Sequence, residues 1–93
     1  MIVEIVSPEA TLFKGDVTSV AVPGINGEFQ MLNNHAPIVS LLANGNIKLV
    51  GSNITIVENF VSKFNKVDAN TFYLPINSGT IELNDNKIII LAD

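Results

Sequence analysis

The 93-residue sequence has no cysteine, no tryptophan and no arginine, and its only histidine is His35. Without cysteine the chain forms no disulfide, no thiolate nucleophile and no cysteine-based zinc site, a composition typical of a cytosolic protein. The net charge is −4, and the five basic side chains are all lysines. Nucleic-acid binding needs a clustered basic face, usually rich in arginine, so this charge balance argues against a nucleic-acid partner.

Long apolar runs and a basic N-terminal segment are also missing. The first ten residues carry Glu4 and only short apolar runs, which is unlike the basic start and apolar centre of a signal peptide. No uninterrupted apolar segment approaches the roughly 18 residues of a membrane-spanning helix. We therefore expect neither secretion nor direct insertion into a membrane.

Apolar residues are abundant and charges are sparse. Hydrophobic residues make up 47% of the chain and charged residues 15%, against about 25% charged in an average soluble domain. This composition excludes global disorder, and the length predicts one domain over residues 1–93. A surface short of charge indicates a protein partner, although twelve asparagines offer a neutral polar surface as the alternative.

Turn residues divide the chain into short extended segments, which predict an all-β sandwich or barrel. The predicted strands are Ile2–Val6, Val17–Val22, Glu28–Leu32, Pro37–Leu42, Ile47–Val50, Thr71–Ile76, Thr80–Leu83 and Lys87–Leu91. Asn84-Asp85-Asn86 predicts a hairpin turn between the last two, because Asn and Asp tolerate left-handed backbone angles.

Two of these strands carry a prediction about burial. In Val17–Val22 the residues alternate, with Val20 and Val22 on one face and Ser19 and Ala21 on the other. Lys87–Leu91 lacks alternation, which predicts burial on both faces.

One segment departs from the β pattern. Val57, Phe60, Val61, Phe64 and Val67 recur at the spacing of one helical face, which predicts a short helix within about residues 57–65, inserted between strands. The alternative is an extended segment in which Phe60 and Phe64 share a face.

The sequence offers no catalytic or metal-binding constellation. His35 is the only conventional base near neutral pH, no Gly-x-Ser-x-Gly elbow is present, and a pair of Glu28 with His35 is too weak a pattern to indicate a hydrolase. One histidine with scattered carboxylates does not supply a zinc site, and no phosphate-binding glycine loop occurs. We therefore predict no catalytic residue, no metal and no cofactor.

The segment around His35 is instead suited to a contact. Pro37 fixes its own φ and biases Ala36 towards an extended conformation, so this hinge is stiff and loses little entropy when a partner docks. The alternative is that a ring nitrogen of His35 only caps the hinge. We predict a contact residue at a docking edge.

Seven segments in order along the chain resemble the epsilon subunit of F-type ATP synthase, specifically its N-terminal β-sandwich domain. These segments are Ile5-Val6-Ser7-Pro8-Glu9, Leu12-Phe13-x-Gly15, Val20-Ala21-Val22-Pro23-Gly24, Gly27-Glu28-Phe29, Asn34-His35-Ala36-Pro37-Ile38-Val39, Ser78-Gly79-Thr80-Ile81-Glu82 and Asn86-Lys87-Ile88-x-Ile90-Leu91-Ala92-Asp93. The resemblance is weakest over about residues 47–72.

The resemblance implies a flattened antiparallel β-sandwich of about ten short strands in the central stalk of the rotary motor. It implies a non-catalytic rotor subunit that links the gamma subunit to the c-ring and couples proton translocation to ATP synthesis. The subunit would lie peripherally at the cytoplasmic face of the bacterial plasma membrane. By the same resemblance, Ser7, His35 and Ser40 lie on the gamma-facing side, and Asn26, Gly27 and Glu28 face the c-ring.

The sequence departs from the family pattern at Gln30, where members often have Gly, at Asn33, where they often have Pro, and at Ser78, where Gly is usual. Most bacterial members also continue after Leu-Ala-Asp into a two-helix domain, so the ending at Asp93 suggests a short form. The competing function is a free-standing ligand-binding module, for example for a carbohydrate. The shortage of aromatic residues, with one tyrosine and five phenylalanines, argues against that function.

Overall fold

The computed structural model describes residues 1–93, in ten β-strands and one short 3₁₀ helix at Glu58–Lys63. The strands are β1 (Ile2–Val6), β2 (Thr11–Asp16), β3 (Ser19–Gly24), β4 (Gly27–Leu32), β5 (Ile38–Leu42), β6 (Gly45–Val50), β7 (Asn65–Asp68), β8 (Thr71–Ile76), β9 (Gly79–Asn84) and β10 (Lys87–Ala92).

The strands follow the order β2-β1-β10-β9-β5-β3-β6-β8-β7, and β4 pairs with β3. The contact between β5 and β3 is a single residue pair, Leu42 with Gly24. At this point the sheet turns over, so that a first half (β2, β1, β10, β9, β5) faces a second half (β4, β3, β6, β8, β7). The prediction of an all-β sandwich of about ten short strands is confirmed. Only the parallel pairing of β1 with β10 departs from a purely antiparallel arrangement.

The two halves enclose one core of 21 buried residues. Val3 and Ile5 of β1, together with Ile88 and Ile90 of β10, supply its centre from the first half, and each is 0% exposed. These residues alternate with outward-facing ones because successive side chains of a strand point to opposite faces.

Strand β3 is buried on both faces. Val20 and Val22 point into the core, as the alternation predicts, but Ser19 and Ala21 on the opposite face are also buried, at 7% and 8% exposure. The reason is the position of β3 between β4 and β6, where Ala21 lies in register between Gln30 and Lys48. Long side chains on both neighbouring strands shield the small residues between them.

Strand β10 shows the opposite deviation. Ile88 and Ile90 lie in the core, whereas Ile89 is half-buried and Leu91 is 53% exposed. The prediction that Lys87–Leu91 is buried on both faces is therefore wrong for the isolated chain. Nothing in the chain covers the outer face of β10.

The segment predicted as a helix is partly helical. The structure forms a 3₁₀ helix at Glu58–Lys63 and then the strand β7, which the sequence pattern did not indicate. Phe64 is buried at 7% exposure and Phe60 packs against the core, while Val57 and Val61 are 56% and 51% exposed. This helix is too short to cross a membrane.

Candidate docking surfaces

The solvent-facing side of the first half carries a group of apolar side chains. Cross-strand register places Leu41, Thr80, Leu91 and Val6 in one row across β5, β9, β10 and β1. The next row consists of Val39, Glu82, Ile89 and Glu4. We call the six apolar members of this side the apolar outer face: Ile2, Val6, Val39, Leu41, Ile89 and Leu91.

The members of the apolar outer face at its centre and edge are well exposed. Val39 is 80% exposed, Leu41 58% and Leu91 53%. Single exposed apolar residues are ordinary, but several on one side of a sheet indicate an interaction site. Thr80 and Glu82 of β9 lie between the apolar residues of β5 and those of β10. Sequence reasoning did not identify these apolar residues as functional. The sequence signal for them was the presence of apolar residues on both faces of the strands Ile38–Leu42 and Lys87–Leu91. Such a strand is compatible with a partner protein that buries the face left open by the chain itself.

His35 lies in an exposed hinge beside the β9–β10 turn. The backbone N–H of Asn34 donates to Asn86 Oδ1 at 2.9 Å, and the N–H of His35 donates to the carbonyl oxygen of Leu32 at 3.2 Å. The ring Nδ1 of His35 lies 2.7 Å from the carbonyl oxygen of Ala36. The ring therefore contributes to the local hinge structure and at the same time presents its other nitrogen to solvent.

Asn26, Gly27 and Glu28 lie at the tip of the β3–β4 hairpin, and all three are exposed. Gly27 has φ 119°, a conformation that favours glycine and closes this tight turn. Lys48 forms an ion pair with Glu28, in which Lys48 Nζ lies 3.0 Å from Glu28 Oε1. The same Nζ lies 5.3 Å from the centre of the Tyr73 ring. The hairpin tip is thus polar, apart from Ile25, which is 60% exposed.

The structure does not bring Ser7, His35 and Ser40 together. Ser7 follows Val6, which pairs with Leu91 near the C-terminal end of β10. The hinge of His35 contacts Asn86, which directly precedes the N-terminal end of β10. A six-residue strand separates these ends by about 17 Å. Ser40 lies on the side of β5 opposite to Val39 and Leu41, where it borders a depression of about 300 Å³ shared with residues 24–29.

The acid–base pair of Glu28 with His35 is not formed. Glu28 lies near the start of β4 and His35 lies beyond its end, so the strand from Glu28 to Leu32 alone separates them by about 13 Å. The structure contains no group of three His, Cys, Asp or Glu residues close enough to hold a metal. Three of the six aromatic side chains are buried, and the other three, Phe29, Phe60 and Tyr73, are half-buried.

The pair of Lys48 and Glu28 makes a testable contribution to stability. The hydrogen bond to Glu28 raises the pKa of Lys48 above its ordinary value of 10.5. Because the folded state holds this proton more tightly than the unfolded state, the stabilisation is present below about pH 10.5 and is lost as the pH rises through the higher folded-state pKa.

We therefore expect urea unfolding midpoints of the natural chain and of Glu28→Gln to differ at pH 9 and to converge as the pH rises through the folded-state pKa of Lys48. The difference will be small, because both partners are solvent-accessible. A difference that grows with rising pH would contradict the assignment.

The fold defines the class of the protein, a β-sandwich domain. A family model described as the β-sandwich domain of the ATP synthase delta/epsilon chain matches residues 1–93. The chain belongs to this family.

Curated relatives agree with this assignment. The ATP synthase epsilon chain of Campylobacter concisus is 38% identical over 90 residues, which cover 97% of this chain and 58% of that protein. The epsilon chain of Chlorobium limicola is 32% identical over 97% of this chain and 85% of its own length. The chain thus spans somewhat more than half the length of the Campylobacter relative.

A solved structure has the same fold. The central stalk and c-ring structure of the Tetrahymena thermophila mitochondrial ATP synthase contains a chain that superposes with a TM-score of 0.73 at 15% identity. The match covers 99% of this chain and 62% of that chain. At this identity the comparison supports the sandwich architecture alone.

Proposed function

We propose that the chain acts as one domain in the rotor of an F-type ATP synthase, as a non-catalytic subunit between the gamma subunit and the c-ring. In this role it couples ion translocation to ATP synthesis at the cytoplasmic face of a bacterial plasma membrane. The single observation that carries the proposal is the apolar outer face, which the isolated chain leaves uncovered. The family membership indicates the complex in which that face is covered.

The apolar outer face is the docking surface for gamma. Val39 and Leu41 lie on β5, directly after the hinge of His35, so the apolar face and the hinge form one continuous surface. A typical specific interface hides about 800 Å² on each partner. The accessible surface of the whole chain is 5309 Å², so one such interface occupies roughly a seventh of it. Ser7 would contact gamma at one edge of this surface, whereas Ser40 faces away from it and borders the β3–β4 hairpin.

The hairpin tip is the surface that meets the c-ring. Its exposed Asn26 and Gly27 offer backbone and amide hydrogen-bonding groups, and Glu28 adds a charge beside them. Such a polar tip suits the polar loops of membrane-embedded subunits, because polar contacts hold two parts in register without a large dry interface.

A rotor part must also resist deformation. The strands of both halves are joined by backbone hydrogen bonds and close over a single apolar core. A close-packed interior has low compressibility and therefore transmits strain. The sandwich is thus suited to pass torque between its two contact surfaces.

A cross-linking experiment tests both contacts at once. The chain has no cysteine, so Asn26→Cys introduces a unique thiol at the hairpin tip, and Asn53→Cys places one at the opposite end of β6 as the matched control. We expect either variant to co-purify with gamma, and only Asn26→Cys to cross-link to c subunits in a reconstituted complex, and only when gamma is present. A chain that stays monomeric beside gamma, or equal cross-linking from both positions, would contradict the proposal.

A further inference from the structure

Two carboxylates, Glu82 and Glu4, lie in one row among the members of the apolar outer face. Glu82 lies on β9, is exposed, and stands in register between Val39 of β5 and Ile89 of β10. Both of its direct cross-strand neighbours are therefore apolar. Any partner that covers Val39 and Ile89 also covers Glu82.

Glu82 has no ionic partner within the chain. The ion pairs of the structure join the α-amino group of Met1 to Asp16 and Lys48 to Glu28. Glu4, in the same row, forms no ion pair either, but one of its direct neighbours across the strands is Lys14. Lys87 is diagonal to Glu82, two residues along β10 from Ile89, and forms no ion pair with it.

A depression of about 300 Å³ adjoins this carboxylate. Its walls are formed by the start of β5 and the end of β9: Pro37, Ile38, Val39, Glu82, Leu83 and Asn84. A depression that combines apolar residues with one carboxylate suits a long cationic side chain. The aliphatic stem of such a side chain packs on apolar surface while its charged head reaches a polar group.

Electrostatics favours the same occupant. A carboxylate that is covered by an apolar partner loses its hydration, and this loss is costly unless a cation replaces the water. A guanidinium or ammonium group on the partner removes the cost and adds charge-assisted hydrogen bonds.

We propose that the partner that covers the apolar outer face inserts an arginine or lysine side chain into the depression beside Glu82. The stem packs on Pro37 and Val39, and the head group pairs with the Glu82 carboxylate. The identity of the partner as gamma rests on the proposed function, whereas the cationic contact rests on the surroundings of Glu82.

The first test compares Glu82→Gln with Glu4→Gln, which removes an equivalent charge from the same row. Both variants keep the size of the side chain at the surface, and thermal unfolding checks that both remain folded. We expect Glu82→Gln to weaken gamma binding by about 30-fold or more, as for other truncated charge pairs at interfaces. We expect Glu4→Gln to change it less than about 3-fold, because Lys14, a direct cross-strand neighbour of Glu4, already supplies a positive charge beside it. The dissociation constant of the natural chain should rise with salt concentration more steeply than that of Glu82→Gln.

The outcomes separate the two proposals. If the natural chain binds gamma and the two variants behave alike, the cationic contact is overturned while the proposed function stands. If the natural chain does not bind gamma, the proposed function fails, and a second measurement decides the contact. In an NMR titration with N-acetyl-arginine amide, we expect shifts of the Val39 and Glu82 signals that are absent in Glu82→Gln. No shift at these residues would overturn the inference.

Discussion

Replacing Val39 and Leu41 together with lysine is expected to weaken gamma binding by at least about 100-fold, which corresponds to about 3 kcal/mol. Both side chains project from β5 into solvent, at 80% and 58% exposure, so the substitution removes no core contact. In the complex, however, two ammonium groups would have to lose their water against an apolar surface. Central apolar contacts of this kind dominate the energy of an interface. Isothermal titration calorimetry of the folded variant with gamma measures the effect.

Val67→Lys is the matched control for this substitution. Val67 is 53% exposed but lies on β7 of the second half, away from the apolar outer face and the His35 hinge. Its replacement should leave the affinity for gamma within about 2-fold, since isolated surface substitutions rarely exceed about 0.5 kcal/mol. Equal losses from the two surfaces would show that the outer face of the first half is not the site of docking.

Ile90→Ala is expected to lower the free energy of unfolding by about 2–5 kcal/mol. Ile90 is 0% exposed at the centre of the core, so the substitution removes buried apolar contacts and leaves a cavity. A domain of this size has a total stability of roughly 5–15 kcal/mol, so this change consumes a large part of it. Urea denaturation followed by circular dichroism measures the loss.

The adjacent residue provides the comparison. Leu91 is 53% exposed on the same strand, and Leu91→Ala should cost less than about 1 kcal/mol in the isolated chain. Gamma binding should respond in the reverse order, because Leu91 belongs to the apolar outer face and Ile90 does not. Similar unfolding losses for both substitutions would mean that β10 is covered on both sides.

Local turn chemistry could be predicted well. Asn84-Asp85-Asn86 predicts a hairpin, and the structure places Asp85 and Asn86 at φ 51° and 60° between β9 and β10. Two consecutive positive φ angles are typical of the turn type whose twist matches that of the paired strands. Asn and Asp accept these angles because their short side chains hydrogen-bond locally.

The segment around residues 57–67 could be predicted only in part. Its apolar spacing indicates a helix, and the 3₁₀ helix at Glu58–Lys63 agrees with that. The strand β7 that follows depends on pairing with β8, and its residues Asn65–Asp68 carry no strong strand pattern. Tertiary context overrode local preference here, as is common for short edge strands.

The candidate site was predicted at its polar parts and missed at its apolar part. His35 and the Asn26–Glu28 turn are exposed, in agreement with their assignment as contact residues, although their contacts remain predictions. The sequence pattern predicts burial for Leu91 and only a strand for Val39 and Leu41, because an apolar run looks the same whether its own chain or a partner covers it.

The sequence by itself determined the all-β class, the positions of most turns, the inward direction of Val20 and Val22, and the family. These features depend on backbone preferences and side-chain alternation, which neighbouring residues along the chain decide. Only the tertiary structure decided that β1 pairs in parallel with β10, that Ser7 and His35 lie at opposite ends of that pair, and that one side of Leu91 is open to solvent. The physical reason is that strand pairing joins residues as distant as Ile2 and Lys87, so the cover on each face depends on contacts between segments far apart in the chain.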